Sequence, residues 1–213
     1  MEDITYYVGL VHYPVFDKNR KIVTTSITNM DVHDISRTCC AYGVRNYFVI
    51  NQLESQRELF FKIMAFWQSD TGKNYQPDRA EALKTTVFLD SYQDAINYIK
   101  NQEKIYPVMI TTTARQRKNQ LRYDSFNSVI NNDTLRNNPE APAKPVLLIF
   151  GTGYGLADEI HEKADYVLTP IESRSEYNHL SVRSAVAIVL DRLIPKNKGG
   201  INGHIASCKS RTN

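Results

Sequence analysis

Apolar residues along the chain fall into two alternating patterns. Short β-rich runs, several of them unbroken, such as FVI at 48–50 and VLLIF at 146–150, alternate with longer stretches whose apolar positions return every three or four residues. The runs predict strands at 4–12, 46–50, 86–89, 107–112, 145–150 and 166–168. The longer stretches predict helices at 30–42, 54–69, 91–100, 123–130, 156–163 and 179–193. Unbroken apolar strands belong to sheets covered on both sides, so the expectation is an α/β domain, a mostly parallel sheet with helices on both faces. Residues 131–144, NNDTLRNNPEAPAK, read as a polar surface loop. The segment 195–213 carries too little apolar surface to order itself, which gives one domain over 1–194 and a mobile basic tail. The last helix is apolar around most of its circumference from Val182 onward, and a subunit interface is the candidate cover for the side the sheet leaves open.

Composition narrows the class. A chain of 213 residues, 42% hydrophobic and 23% charged, can bury a sizeable core, and collagenous, disulfide-rich and disordered proteins are excluded. The net charge of +3 suggests an anionic partner until it is located: Lys196, Lys198, Lys209 and Arg211 lie in the tail, which has no acid, and without them the remainder is at −1. No stretch approaches the roughly 20 apolar residues of a membrane span, and the first residues lack a signal-peptide pattern, so the cytoplasm is expected. Cys39, Cys40 and Cys208 form neither a disulfide framework nor a zinc spacing, and buried thiols are the reading for the first two.

Four segments can carry chemistry. In TSITNMDVHDISRTCCAYGV, 24–44, Thr28 or Asn29 suits a helix N-cap and Gly43 its end. Asn29, His33 and Arg37 recur every four residues and share one face, able to offer an amide, an imidazole and a guanidinium to an anionic substrate. The competing reading is a solvated polar face with a local Asp34–Arg37 pair. In PVLLIFGTGYGLADEI, 145–160, a strand runs into Gly151, Gly153 and Gly155 and then a helix, a place for exposed amides to hold a polar ligand or for a plain tight turn. It lacks the Lys-Ser/Thr of a P-loop and the spacing of a dinucleotide fingerprint. In VMITTTARQRKNQLRYDSF, 108–126, Arg115, Arg117, Lys118 and Arg122 follow a strand with no acid until Asp124, which suits RNA phosphates or a charged solvent loop. In PIESRSEYNHLSVRSAVAIVLDRL, 170–193, His179 is a base or a cap. His12, His161 and His204 show no chemical partner, and no metal-ligand cluster is visible.

Taken in order, the first, second and fourth segments resemble the three signature motifs of the SPOUT methyltransferases, S-adenosyl-L-methionine (SAM)-dependent RNA modifiers. The pattern N-x(7)-R then G-V stands at Asn29, Arg37, Gly43 and Val44, the glycine-bearing motif at 147–156, and the third motif at 170–193. TTTARQR resembles a segment of the tRNA ribose-methylating branch, and the likeness covers 7–193. It implies a C-terminal trefoil knot and a SAM site made by Thr112, Thr113, Ala114, Gly151, Thr152, Gly153, Gly155, Ile171, Leu180, Ser181 and Val182. It further implies a homodimer, a tRNA or rRNA substrate, and Arg37 with Asn29 as catalytic groups. Ribose-methylating relatives have an acid where Gly153 stands and an Asn where Ser181 stands, so a guanine ring nitrogen competes with the ribose 2′-hydroxyl as acceptor. A non-catalytic RNA-binding or SAM-binding module with the same fold is the alternative.

Overall fold

In the computed structural model, which describes residues 4–131, 144–175 and 177–194, the chain runs from strand β1 (Tyr6–Val11) through a small antiparallel hairpin, β2 (Val15–Phe16) and β3 (Ile22–Val23), into helix α1 (Asn29–Ala41). Then follow β4 (Asn46–Ile50), α2 (Glu54–Gln68), α3 (Asp70–Tyr75), α4 (Pro77–Leu83), β5 (Thr86–Leu89), α5 (Tyr92–Glu103) and β6 (Val108–Thr111). The remainder is α6 (Phe126–Asn131), β7 (Val146–Gly151), α7 (Asp158–Glu162), β8 (Tyr166–Val167) and α8 (Val182–Leu193). Both the loop expected at 131–144, from 132 to 143, and the tail 195–213 lie outside the described residues.

Six strands form one sheet in the order β5-β4-β1-β7-β6-β8, every neighbouring pair parallel. The expected helices cover both faces. Strand alternation sends Tyr6, Val8 and Leu10 of β1, with Val146, Leu148 and Phe150 of β7, toward α1, α2, α4, α6 and α8, and sends Tyr7 and Val11, with Leu147 and Ile149, toward α5 and α7. Side chains such as Leu10, Phe126 and Leu190 are fully buried, and each contributes about 1.5–3 kcal/mol of transfer free energy. That outweighs any surface ion pair, at about 0–1 kcal/mol, so apolar burial sets the architecture.

Strand order also locates the ligand crevice. From β1 the chain steps outward to β4 and β5, crosses to β6, returns to β7 between β1 and β6, and leaves for β8 beyond β6. The sheet therefore has a switch point at β1 and β7, and an open parallel sheet forms its crevice outside the carboxyl ends of such strands. Register aligns those ends: Val11 pairs with Ile50 on one side and Gly151 on the other, so His12, Asn51 and Thr152 emerge side by side.

The sequence pattern misses the hairpin and two short helices. Two-residue strands carry no measurable period. Helices α3 and α4 are polar, and their cues are local: Ser69 accepts a hydrogen bond from the Gly72 amide, and Pro77 occupies a first-turn position.

Candidate active site

At the switch point the residues after three strands build a buried polar knot of side chains. The His12 ring, fully buried, places Nδ1 3.0 Å from Thr25 Oγ1, and Thr25 Oγ1 lies 2.5 Å from Thr152 Oγ1. Thr152 also donates to the Val11 carbonyl through its amide and its hydroxyl, both at 3.2 Å, and Asn51 Nδ2 donates to the Thr25 carbonyl at 3.0 Å. Burial holds the imidazole pKa down at about 4, against the opposing pull of Asp31, so His12 is neutral at physiological pH. Sequence reasoning gave His12 no partner because Thr25 and Thr152 reach it only through the fold. The available signal was position, since His12, Asn51, Thr112 and Thr152 each follow directly on a parallel strand.

The glycine loop 151–155 is a tight turn, one of the two readings its sequence left open, and several of its amides are used within the protein. The Thr152 amide donates to Val11, Tyr154 to Phe16 and Gly155 to Thr152, while Phe16 donates back to the Gly155 carbonyl. The β2–β3 hairpin thus clamps the loop. Gly153 has φ +58°, and a Cβ there would sit 2.9 Å from the Phe16 carbonyl oxygen. Any side chain at this position would meet both the left-handed backbone and the Phe16 carbonyl, so this turn calls for glycine. Gly155, at φ +103°, has open space where a Cβ would project.

Two more loops leave the same sheet edge. Residues 112–114 follow β6, where Thr112 donates to the Ile149 carbonyl through its amide at 3.0 Å and its hydroxyl at 3.1 Å. The segment after β8 reaches across to them, Asn178 Nδ2 lying 3.4 Å from the Ala114 carbonyl. Ile171 and Val182 pack on the core, Leu180 is exposed, and Ser181 caps α8 by accepting from the Ser184 amide. The cap is therefore Ser181, not His179, which stands exposed with its ring edge-on to Tyr177 at 5.5 Å. Thr112, Thr113, Ala114, Gly151, Thr152, Gly153 and Gly155 belong to adjacent strand ends, with Ile171, Leu180, Ser181 and Val182 on the third loop. These neutral hydroxyls and backbone groups, with the unfilled space at Gly155, fit a bent cofactor carrying a sulfonium cation, since no cation of the site must be displaced.

Helix α1 divides the triad expected on one face. Thr28 caps it, accepting from the Asp31 amide at 3.0 Å, and Asn29 and Arg37 are exposed. His33 turns inward, edge-on to Trp67 at 5.1 Å, and burial with the nearby Arg79 charge keeps its pKa below the ordinary value. It is a core histidine, because α4 and Trp67 of α2 cover that strip of the helix. The local Asp34–Arg37 pair is absent too: Asp34 faces Arg183 Nε at 3.4 Å, and Arg183 Nη1 holds Asp31 at 3.1 Å. Arg183, not anticipated from the sequence, ties α8 to the start of α1. Arg37 lies in a groove with Asp34, Thr38, Ala41, Tyr42 and Ala187, and no carboxylate is ion-paired to it among the described residues, Asp34 being turned to Arg183. Asn29 and Arg37 are eight residues apart, about 12 Å along the axis, so they meet only through a bound substrate.

The basic loop after β6 is half neutralised. Arg117 and Arg20 of the hairpin both pair with Asp158, and Arg122 pairs with Asp124 at 2.7 Å. Among the described residues no carboxylate pairs with Arg115 or Lys118, so these two keep an uncompensated charge. Below the loop, buried His161 shares a 2.8 Å hydrogen bond with Thr111, and burial and the Arg117 charge hold its pKa at about 4. Cys39 is buried and its thiol pKa is pushed up by burial.

Comparison with known proteins shows the family and the fold. Residues 5–195 match the family model described as SAM-dependent RNA methyltransferase. An uncharacterized protein of Aquifex aeolicus is 34% identical over 192 residues, 90% of this chain and 89% of that one. A tRNA (guanine-N(1)-)-methyltransferase of Oleidesulfovibrio alaskensis is 39% identical over 188 residues, 88% of this chain but only 41% of that protein, so the chain spans about two-fifths of that relative's length. Among solved structures, the TrmH/SpoU tRNA-modifying enzyme of A. aeolicus shares the fold with a TM-score of 0.51 at 16% identity, over 91% of this chain and 74% of that one.

Proposed function

The chain belongs to the SAM-dependent RNA methyltransferases, and from that premise we propose that it methylates a tRNA nucleotide in the cytoplasm, at an acceptor presented to Arg37. The observation that carries the reading is the exposed Arg37 guanidinium on α1, which no carboxylate pairs among the described residues, on a helix that Arg183 ties to α8, where the third loop ends. The named substrate of the O. alaskensis relative supports tRNA as the RNA class.

When bound, SAM supplies a methyl group on a sulfonium. The residues of this chain hold and orient the reactants. Thr112, Thr113 and the 151–155 loop would seat the cofactor, with Ile171, Leu180, Ser181 and Val182 of the third loop as its further contacts. Arg37 binds acceptor phosphate or polarises the acceptor, and Asn29, the residue directly after the Thr28 cap, grips the same nucleotide. His179, exposed on the third loop, or solvent would take the proton that the acceptor loses on methylation. With Gly153 in place of an acid, a guanine ring nitrogen is favoured over the less acidic ribose hydroxyl. The trefoil knot belongs to the same proposal, supported by β7 entering between β1 and β6 before the chain departs to β8. So does a homodimer closing over the α1–α8 groove, supported by half-exposed Ala185, Ala187 and Ile188 along α8.

Incubation with methyl-labelled SAM and separate tRNA and rRNA fractions, followed by nucleoside mass spectrometry, is expected to show a labelled methylguanosine in tRNA. Cofactor binding with no product from RNA lacking the modification would leave the non-catalytic module as the function.

The basic loop gives a quantitative expectation. Replacing Arg115 and Lys118 with alanine lowers the slope of log affinity against log salt by about 1.5. Further replacement of Arg117 changes it little, because Asp158 already neutralises that charge. Filter-binding titrations across a salt series check both statements.

A further inference from the structure

We propose that His12 is a positioning residue of the methyl-transfer site, acting through Thr25 to hold Thr152 and with it the cofactor loop. The inference rests on the reading of 151–155 as part of the SAM site. His12 is fully buried, its Nδ1 is within hydrogen-bond distance of Thr25, and its Nε2 makes no hydrogen bond among the described residues, although the Ser26 carbonyl is nearby. A neutral imidazole has one donor and one acceptor nitrogen. If the proton is on Nδ1, every donor in the cluster is satisfied: Nδ1–H donates to Thr25, the Thr25 hydroxyl to Thr152, and the Thr152 hydroxyl to the Val11 carbonyl. In the other tautomer Nε2–H faces the Ser26 carbonyl and Nδ1 accepts from Thr25, and in either case His12, Thr25 and Thr152 stay linked in one relay.

Its path joins the two halves of the reaction. Thr25 belongs to the segment that leads to the Thr28 cap of α1, the helix of Asn29 and Arg37, while Thr152 is the first residue after β7 in the glycine loop. No other side-chain hydrogen bond among the described residues connects 24–28 to 151–155. Cutting it leaves the Thr152 hydroxyl held by the Val11 carbonyl alone and removes the side-chain link between the α1 segment and the cofactor loop.

Isothermal titration with SAM and with S-adenosylhomocysteine tests this on the full chain. Thr25→Val, which keeps the shape and deletes the hydroxyl, is expected to weaken both ligands by about tenfold. Thr25→Ser restores wild-type affinity, and RNA affinity is unchanged in both variants. His12→Asn, whose side-chain amide can still donate toward Thr25, loses less affinity than His12→Leu. Thermal melts identify any variant that fails to fold, and Thr152→Val then serves as the second break in the same relay. A folded Thr25→Val protein that binds both ligands as wild type does would overturn the inference. So would equal losses in Thr25→Val and Thr25→Ser, which would make the site one of packing. Failure of the wild-type protein to bind either ligand would instead overturn the underlying placement of the cofactor.

Discussion

Replacing Arg37 with alanine is expected to lower kcat on tRNA by about 10²–10³-fold while SAM affinity stays unchanged. The size follows from the chemistry of losing one charged donor to the reacting group, a loss usually of that order. The assignment to Arg37 follows from how its neighbours are engaged. Asp34, one turn away on the same helix, would cancel the charge if the two were paired, yet Arg183 draws that carboxylate away at 3.4 Å and also holds Asp31. The guanidinium is left exposed in its groove on α1, and α1 itself is fixed by the Thr28 cap and by Arg183. Arg37→Lys keeps the charge but loses the planar fork, so about a tenfold deficit is expected. Steady-state rates at saturating SAM across an RNA series separate kcat from KM. A wild-type rate in Arg37→Ala would remove Arg37 from the reaction.

What could be read in the sequence tracks how local each determinant is. The strands at 46–50 and 86–89 are found residue for residue, and helix α1 within one residue, because apolar runs and caps are encoded in neighbouring positions. The candidate loops at 112–114 and 151–155 were visible for the same reason, as polar residues directly after a strand. Everything that depends on a distant partner was hidden. His33 reads as part of a polar face until Trp67 covers it, and Arg117 reads as a free cation until Asp158, 41 residues on, is placed beside it. The His12–Thr25–Thr152 relay requires β7 to lie next to β1, and no period in the sequence states that adjacency. The altered residue at Gly153 was legible as a departure, but its cause, the Phe16 carbonyl of an unpredicted hairpin, was not.

Lowering the pH from 7 to 5 is expected to reduce folding stability by about 4 kcal/mol, about half from His12 and half from His161. Both imidazoles are neutral in the folded protein, with pKa values of about 4 set mainly by burial. In the unfolded chain each returns to about 6.5. Between those limits the unfolded state binds more protons, so each step down in pH favours unfolding, and the loss levels off only when the folded protein takes up the protons near pH 4. The carboxylates do not share this window. Asp158, held low chiefly by its hydrogen bond from Arg117, and Asp124, at about 2 beside Arg122, contribute stability that is lost only as pH falls below about 4. Against a typical domain stability of about 5–15 kcal/mol, the histidine contribution decides whether the fold survives mild acid. Urea titrations followed by the fluorescence of the single tryptophan, Trp67, at pH 7, 6 and 5 measure it. His161→Gln should weaken the dependence on pH whatever it does to stability at pH 7, because only the proton linkages of His12 and of His33, which is also held below its ordinary value, then remain. A wild-type midpoint that does not move between pH 7 and 5 would show that these imidazoles are not held neutral by the fold.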